Sequence, residues 1–523
     1  MPAFLKRHGY TLWIAFLVVL ASMHFWHLRA DFPNHSPWED WSKYTDEGWY
    51  GNAAIRAHLF GNWYIPGDFN PAPAVPLWPF LEWLLFFVSG VSLQAARGLS
   101  LSFFLINLWL AYKLFRERGP RWVGLLASTL LATSPFIYCF SRLAILEPML
   151  ISLTLLAMNL AVRLPRFRHR EFVAGLIGIL FTLMMLTKTT AVFLLPALVW
   201  VIALPYLRQR RKLIRLLVAA GGSAALSFSI WMLLVLNFDL FPDYKYLFFI
   251  NDYKKAQGLV GHFMSFWWSF HGGLWADVVL IPLAGVLLLV ALWGCKKEWA
   301  RELWLDPIFG GSVLAAAGYI GFMTYQNHPQ PRYYTVVATF SFFVVIRIVA
   351  QFLYSEARLR KVGVALLCLV CGTALANTVW TLRYVLNPQY TWVHAADDLT
   401  GYIDAHPNGK RLLVSISGDQ LTLTTHLPSL CDDFGTEDLV QKLNDYQPGW
   451  YAAWNDLDPG TLEDIHRHFS LEQVAAFPAF DDPERNVLYL FKLHPWKNPA
   501  PRDDAPAALQ VPLPEDKFTV PIE

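Results

Sequence analysis

The chain has 523 residues, of which 55% are hydrophobic and only 16% are charged, and its mean hydropathy is +0.34. Soluble domains carry about 25% charged residues, so this composition predicts that lipid surrounds most of the chain. The formal net charge of +2 argues against a nucleic-acid binder, which would carry a strongly basic face. The five cysteines are too scattered along the chain to form a disulfide framework or a zinc cluster.

Apolar runs begin shortly after the basic residues Lys6 and Arg7. The first run is long for a signal peptide and no clean small-residue cleavage site follows it, which favours a retained membrane anchor. A spanning helix needs about 20 mainly apolar residues, and the sequence predicts about 11 such spans. They are 10–28, 97–115, 122–140, 148–162, 172–187, 189–206, 213–236, 277–294, 308–325, 333–353 and 361–382. A shorter run, 77–88, contains Glu82 and is more typical of an interfacial or re-entrant helix.

The distribution of lysine and arginine predicts how the spans are oriented. If 77–88 does not cross, the clusters in five loops fall on the same side as Lys6 and Arg7, and the positive-inside rule makes that side cytoplasmic. The clusters lie at 116–121, 163–170, 208–215, 296–301 and 358–361. The sequence therefore predicts a multi-pass protein of the bacterial inner membrane, with a cytoplasmic N-terminus and a periplasmic C-terminal region.

An acidic pair, Asp46-Glu47, lies among aromatic residues in the first outer loop and is followed by Tyr50 and Arg56. Carboxylates beside a membrane surface suit a general base that faces an amphipathic substrate. The alternative is an interfacial loop with solvated carboxylates, because tryptophan and tyrosine favour the membrane interface on their own account.

A second acidic position, Glu147, precedes Pro148 in an outward turn that begins near Arg142. An acid next to a proline at the first helical position is also an ordinary helix start, since the charge complements the helix dipole. Ionisable residues near membrane depth are nevertheless functional candidates by default. Both readings stay open at this point.

Few cations are expected on the outer side, and they could bind a phosphate. For each one alone, contact of its charge with lipid headgroups is the better explanation. It is their occurrence at five separated sites on one face that indicates a phosphate-binding role for some of them. The cations are Arg97, Arg142, Lys188, Lys254, Lys255 and Arg332.

The region 385–495 is polar and mixed, which predicts a small α/β domain outside the membrane. Short β-branched and apolar runs predict strands at Arg411–Ser417 and Val487–Lys492. Helices are expected at His394–Ala405, Glu437–Tyr446 and Leu462–Phe469. The predicted organisation is thus an all-α polytopic membrane domain (1–384), the α/β extracytoplasmic domain (385–495) and a proline-rich disordered tail (496–523).

In its order of short motifs, the chain resembles the GT-C glycosyltransferases, particularly the bacterial aminoarabinose transferases of lipid A and the protein O-mannosyltransferases. The motifs that carry the resemblance are Asp46-Glu47, Tyr50, Arg56, a proline-rich approach to a short apolar helix, Arg97, Glu147-Pro148, Leu-Thr-Lys188 and Arg332-Tyr333. Two features depart from it. Aminoarabinose transferases carry a lysine in the proline-rich segment, whereas Phe69–Pro76 here has no cation, and the family's aspartate before proline is Glu147. Both departures make aminoarabinose transfer to lipid A less favoured as the specific reaction.

The resemblance implies transfer of a single sugar from a polyprenyl-phosphate-linked donor to a lipid, glycan or protein acceptor on the outer membrane face, with inversion. It implies Asp46 as general base, with Glu47 or Glu147 orienting the acceptor or holding Asp46 charged. The cations named above would neutralise the departing phosphate. Tyr50, Arg56 and Tyr333 would line the substrate. No cofactor and no divalent metal are expected, because relatives with a monophosphate donor generally manage without one.

Three other functions compete with this interpretation. A transporter or flippase would also place charges along a substrate path. However, the sequence has no inverted repeat and no matched pair of broken spans, which many transporters show. An O-antigen ligase or polymerase usually lacks a C-terminal outer α/β domain, and an inactive scaffold is the third alternative.

Overall fold

The computed structural model describes residues 3–33, 36–250, 255–455 and 458–496. The chain divides into two compact units, each assembled from separate stretches of sequence. We call them the helical unit, formed by the described parts of 1–28, 97–239 and 251–387, and the mixed unit, formed by those of 29–96, 240–250 and the chain from 388 onward. The predicted boundaries at 384 and 495 stay a prediction.

The helical unit consists of long apolar helices joined by short connections. Its α-helices are Ala3–Met23, Leu93–Arg116, Arg121–Thr133, Pro135–Ser141, Glu147–Arg163, Arg170–Thr187, Leu195–Ala203, Arg210–Asn237, Gly258–His271, Leu280–Trp293, Glu298–Trp304, Pro307–Gln326, Tyr334–Leu353 and Ala357–Leu386. Turns of 3₁₀-helix occur at Leu164–Arg166, Thr189–Leu194, Leu204–Tyr206, Gly272–Trp275 and Pro331–Tyr333.

Within the described residues, eight helical stretches are long and apolar enough to cross a membrane, or up to 10 if each of two bent helix pairs is one span. The prediction of about 11 spans counts one more. That one is the first run, which corresponds to the shorter apolar helix His8–Met23. The multi-pass helical fold that the sequence predicts is confirmed.

One of the bent pairs has a clear local cause. Helices Arg121–Thr133 and Pro135–Ser141 meet at an angle of 70°. Pro135 has no backbone N–H to donate to the preceding turn, and Ser134 caps the new helix by accepting a hydrogen bond from the Ile137 N–H. The helix therefore stops and restarts at this point in a new direction.

The helix Tyr334–Leu353 forms the centre of the helical unit. It belongs to the span Pro331–Leu353, and 89% of the 18 most apolar consecutive residues of that span are buried. A helix that is apolar on all sides is stable only where either protein or lipid surrounds it. Here the burial shows that protein surrounds it.

The mixed unit contains a five-stranded sheet. The strands are β1 (Lys410–Val414), β2 (Ser429–Leu430), β3 (Pro448–Trp454), β4 (Phe469–Pro478) and β5 (Val487–Pro495), and their order in the sheet is β2-β1-β3-β5-β4. Strand β1 is parallel to β2 and β3, whereas β5 is antiparallel to β3 and β4. Four helices accompany the sheet: Thr391–Ala405, Gly418–Thr425, Leu439–Tyr446 and Pro459–His466.

Apolar residues pack on both faces of this sheet. Neighbouring residues of β3 point to opposite faces, as the two-residue period of a strand requires. Trp450 packs in the cluster that includes Trp392 and Leu399 of helix Thr391–Ala405. Tyr451 packs in the other cluster, which includes Leu443.

The predicted C-terminal sheet region is confirmed, although sequence reasoning found only part of it. Both predicted strands and all three predicted helices are present, with ends shifted by a few residues. Strands β2, β3 and β4 were not predicted. Strand β3 begins with Pro448-Gly449 and contains two alanines, none of which favours a strand. The predicted tail lies almost entirely outside the described residues.

The stretch 29–96 belongs to the mixed unit. Its elements are the 3₁₀-turn Trp41–Lys43 and the α-helices Asp46–Trp49, Asn52–Phe60 and Leu77–Ser89. The segment 240–250 adds an α-helix, Phe241–Lys245, and a π-helix, Tyr246–Ile250.

Asp31 connects the stretch 29–96 to the start of helix Thr391–Ala405, because its carboxylate accepts hydrogen bonds from the backbone N–H groups of Trp392 and Val393.

The helix Leu77–Ser89, which we call the short apolar helix, has the length that the sequence predicts for a non-crossing segment. Trp78, Glu82 and Phe86 are buried at intervals of four residues and form one face. Phe87 and Val88 are 64% and 91% exposed on the other side, so the helix has a wide uncovered apolar face.

Candidate functional site

The predicted acidic pair lies in the mixed unit, in a one-turn helix, Asp46–Trp49, that we call the acidic helix. Asp46 and Glu47 are 1% and 0% exposed, so the interpretation of a solvated interfacial loop is wrong. The Thr45 hydroxyl donates to Asp46 Oδ1 over 3.2 Å. Burial of two adjacent carboxyl groups is costly unless polar groups contact them, and the Thr45 hydroxyl is one such group.

Gln420, which sequence reasoning missed, connects the acidic helix to the C-terminal part of the mixed unit. Its side-chain Nε2 donates to Glu47 Oε2 over 3.0 Å, and its Oε1 accepts from the Gly48 backbone N–H over 3.0 Å. Gln420 is the third residue of helix Gly418–Thr425, which we call the docking helix. A Gly-Asp-Gln sequence has no motif character, so no sequence signal could have identified it.

Tyr50 and Arg56 follow the acidic helix, and the structure gives them different surroundings. Tyr50 is half-buried at the end of the helix. Arg56 is 3% exposed and pairs with Asp68 over 2.6 Å and with Asp419 over 2.9 Å. Asp68 also accepts from Lys442 Nζ over 3.2 Å. This buried network gives Arg56 a structural role, and its predicted contact with substrate stays a prediction.

Glu82 is a third buried carboxyl group in the mixed unit. It is fully buried on the short apolar helix, and neither of its oxygens has a hydrogen-bond partner of normal geometry among the described residues. Its carboxylate occupies the space beside Gly51, where an added Cβ would lie 2.0 Å from Oε2. Burial raises the pKa of Glu82 well above its usual range, and the nearby Glu47 raises it further, whereas Trp78 acts in the opposite direction. Burial therefore favours the neutral form of this carboxyl group.

Glu82→Gln is expected to make the stability of the folded protein less dependent on pH. A carboxyl whose pKa is raised in the folded state destabilises that state as the pH rises above the ordinary glutamate value of about 4.5. Glutamine stays neutral, so the melting temperature of the variant should fall less than that of the wild type between about pH 5 and pH 8. Thermal melts in detergent would measure this, with the exposed Glu463→Gln as control. Identical pH dependence in wild type and Glu82→Gln would contradict a buried neutral acid.

In the helical unit, Glu147 pairs with Lys188. Glu147 Oε1 lies 2.5 Å from Lys188 Nζ, and the two side chains are 0% and 7% exposed. The Lys188 ammonium also lies 4.7 Å from the centre of the Tyr333 ring, and the Arg332 guanidinium lies 5.0 Å from the same ring. Four predicted site residues therefore gather in one cluster, although they come from three separate stretches of sequence.

Arg142 and Arg97 contact the chain at the end of the first helix. Arg142 donates to the backbone carbonyls of His24, Trp26 and His27 over 2.6–2.8 Å, and Arg97 donates to that of Leu28 over 2.9 Å. Cations commonly bind the free carbonyls that follow a helix. These contacts fix the chain at that point, and a phosphate role for both arginines stays a prediction.

Two further predicted cations lie beyond helix Arg210–Asn237. Lys255 is exposed, and its ammonium lies 5.4 Å from the centre of the Tyr325 ring. Lys254 lies outside the described residues. In the part of the chain that the structure describes, no group of three His, Cys, Asp or Glu side chains could hold a metal ion. The expectation that the protein uses no metal stays a prediction. The expected convergence of Asp46 with Glu147 stays a prediction as well.

Comparison with protein families and curated proteins gives one partial match. A family model described as dolichyl-phosphate-mannose-protein mannosyltransferase matches residues 71–232, which is less than half of the chain. The match includes Arg97, Arg142, Glu147 and Lys188 but not Asp46. A search of curated proteins found no match.

Solved structures resemble the chain over most of its length. ArnT from Cupriavidus metallidurans in the apo state matches with a TM-score of 0.59 and 14% identity, covering 92% of this chain and 98% of that one. ArnT bound to undecaprenyl phosphate gives 0.56 at 14% identity, with the same coverage. Archaeal oligosaccharyltransferase AglB from Archaeoglobus fulgidus, in complex with an inhibitory peptide and a dolichol-phosphate, gives 0.51 at 11% identity, covering 92% of this chain and 74% of that one. The chain has the GT-C glycosyltransferase fold.

The GT-C fold confirms the predicted resemblance and the predicted fold class of this multi-pass membrane protein. At 11–14% identity the likeness concerns the fold. The roles of Asp46, Glu147, Lys188 and Arg332 therefore stay predictions that rest on their chemistry and on the contacts described above.

Proposed function

We propose that this GT-C protein transfers one sugar from a polyprenyl-phosphate-linked donor to a lipid, glycan or protein acceptor on the periplasmic face of the bacterial inner membrane. The observation that carries the proposal is the fold shared with ArnT over 92% of this chain and 98% of the other, because one ArnT structure holds undecaprenyl phosphate. The N-terminus is cytoplasmic in this proposal, in accordance with the basic loops.

Asp46 is the general base of the proposed reaction. An acceptor hydroxyl oxygen forms a bond to the anomeric carbon while the bond between that carbon and the phosphate oxygen breaks. Its electron pair stays on the phosphate, the hydroxyl proton moves to Asp46, and the anomeric centre inverts. The phosphate leaves as a stable anion and needs no general acid, so one carboxylate is sufficient. Glu47, the neighbouring carboxylate, orients the acceptor.

Lys188 and Arg332 bind the donor phosphate in this proposal. Both belong to the buried cluster around Tyr333, and arginine can contact two phosphate oxygens at once. Glu147 fixes the lysine ammonium by direct pairing. The proposal needs no cofactor or divalent metal, because the lysine and arginine supply the positive charge.

The lipid that co-purifies with the protein would test the donor class. We expect native mass spectrometry, with gentle removal of detergent, to detect a bound isoprenoid monophosphate or its conjugate with one sugar. The mass difference between these two species would identify the class of sugar. Binding of ordinary phospholipids alone, or of an isoprenoid diphosphate carrying an oligosaccharide, would contradict the proposed donor.

Arg332→Ala is expected to weaken binding of undecaprenyl phosphate by roughly 10- to 100-fold, because a charge-assisted hydrogen bond to phosphate contributes about 1.5–3 kcal/mol. Titration of fluorescent undecaprenyl phosphate into the protein in nanodiscs would measure the dissociation constant. Arg383→Ala is the matched control, since Arg383 is an exposed arginine that also stacks on an aromatic ring. Unchanged affinity in Arg332→Ala would remove this residue from the phosphate site.

A further inference from the structure

The contact between Gln420 and the acidic helix is more specific than docking of the two helices requires. The carboxamide makes one hydrogen bond to a side chain and one to the backbone of successive residues, Glu47 and Gly48, both over 3.0 Å. Gln420 is fully buried, and Glu47 is fully buried as well. In this protected position the bond to the Gly48 N–H holds the carboxamide in place, and its Nε2 then contacts Glu47 Oε2.

The helix backbones approach too closely for this arrangement to adjust. A Cβ added at Gly48 would lie 2.2 Å from the Asp419 carbonyl carbon and 2.3 Å from the Gln420 nitrogen. The neighbouring Asp419 is held in turn by Asn52 over 3.2 Å and by Arg56 over 2.9 Å. The first turn of the docking helix is therefore fixed at Asp419, the residue before Gln420.

An amide is well suited to hold a catalytic carboxylate in place. Its N–H group only donates and its carbonyl only accepts, and neither function changes with pH near neutrality. The Gln420 Nε2 donor directs Glu47 Oε2 toward the docking helix. A glutamate at position 420 could form a hydrogen bond with Glu47 only if one of the two carboxyl groups were protonated and donated to the other.

We propose that Gln420 is a positioning residue that orients Glu47 for the acceptor, so that the C-terminal part of the chain takes part in organising the acidic helix. The inference rests on the proposed sugar transfer. It adds a residue from outside the predicted membrane domain to the machinery of the reaction.

Two variants of similar size test the inference in the full-length protein. Gln420→Met removes both hydrogen bonds, and Gln420→Glu replaces the donor by a carboxylate. Thr425→Val is the control, because Thr425 lies on the same helix and its hydroxyl bonds to Leu421 within that helix. The assay measures release of undecaprenyl phosphate from undecaprenyl-phosphate glucose, mannose, galactose or arabinose, offered singly with a membrane extract as the source of acceptor.

We expect kcat of Gln420→Met to fall roughly 10- to 100-fold, since a misplaced reacting group costs about that much, while KM for the donor stays unchanged. Gln420→Glu should show the same loss at pH 8 and partial recovery at pH 6, where a shared proton restores the hydrogen bond. Thr425→Val should resemble the wild type. A purely structural role would lower the melting temperature without this pH recovery.

Equal kcat in Gln420→Met and wild type would overturn the inference and leave the proposed function intact. The same holds if Gln420→Glu is inactive at both pH values although it melts at the wild-type temperature. If the wild type releases no undecaprenyl phosphate from any of the four donors, or from a donor with the sugar identified by native mass spectrometry, the proposed function fails instead. The two failures are therefore distinguishable.

Discussion

Asp46→Asn is expected to lower the rate of sugar transfer by about 10²- to 10⁴-fold, the usual contribution of a general base. Asparagine has nearly the same shape and can still interact with the Thr45 hydroxyl, but it cannot accept the proton of the acceptor. Donor binding should therefore persist. Single-turnover transfer and undecaprenyl phosphate binding, measured on the same purified sample, would separate the two effects.

Asp398→Asn is the matched control for this variant. It makes the same change of net charge on an exposed face of helix Thr391–Ala405, and it should transfer at the wild-type rate. Wild-type transfer by Asp46→Asn would show that another group removes the proton. Loss of donor binding in that variant would instead mean that Asp46 organises the phosphate site.

Arg56→Met should have the largest effect on stability, about 3–5 kcal/mol, because removal of one member of a buried ion pair leaves the other charge unpaired. Asp68 and Asp419 are 0% and 3% exposed, and both depend on this guanidinium. Asp68 would keep Lys442 as a partner, whereas Asp419 would keep only the Asn52 amide among the contacts described above. Hydrogen exchange of the docking helix, compared with the rest of the sheet region, would locate the loosening.

Arg411→Met provides the contrast. Arg411 forms a close pair with Asp404, but the two side chains are 45% and 49% exposed, and exposed pairs contribute about 0–1 kcal/mol. Its melting temperature should stay close to that of the wild type. Equal losses in the two variants would mean that the network around Arg56 is not a special support of the mixed unit.

Hydropathy was sufficient to predict the membrane-spanning helices of the fold. Long apolar runs encode helices because lipid offers no partner for backbone groups, and nearly every predicted run has its helix. Hydropathy alone did not predict the break at Ser134-Pro135, because the run 122–140 is apolar throughout and was predicted as one continuous span. The sheet was harder to predict, because β3 forms where its neighbours provide strands on both sides and not because its own residues favour one.

The sequence identifies candidate site residues by their type, but it does not identify their partners. The acidic pair is visible as charge among aromatic residues, and Lys188 is visible as a lone cation after an apolar run. Its pairing with Glu147 brings together positions 41 residues apart. The contact between Glu47 and Gln420 joins positions 373 residues apart. Such contacts depend on how the elements pack, which no local pattern encodes.

In the proposed reaction, the bond between sugar and lipid phosphate breaks during turnover, and one measurement tests this directly. Wild-type protein in proteoliposomes is supplied with undecaprenyl-phosphate monosaccharides labelled in the sugar, and mass spectrometry counts both the labelled acceptor and the free undecaprenyl phosphate. We expect one undecaprenyl phosphate to be released for each sugar transferred. Movement of intact donor between the two leaflets without any release would contradict it and would indicate a flippase.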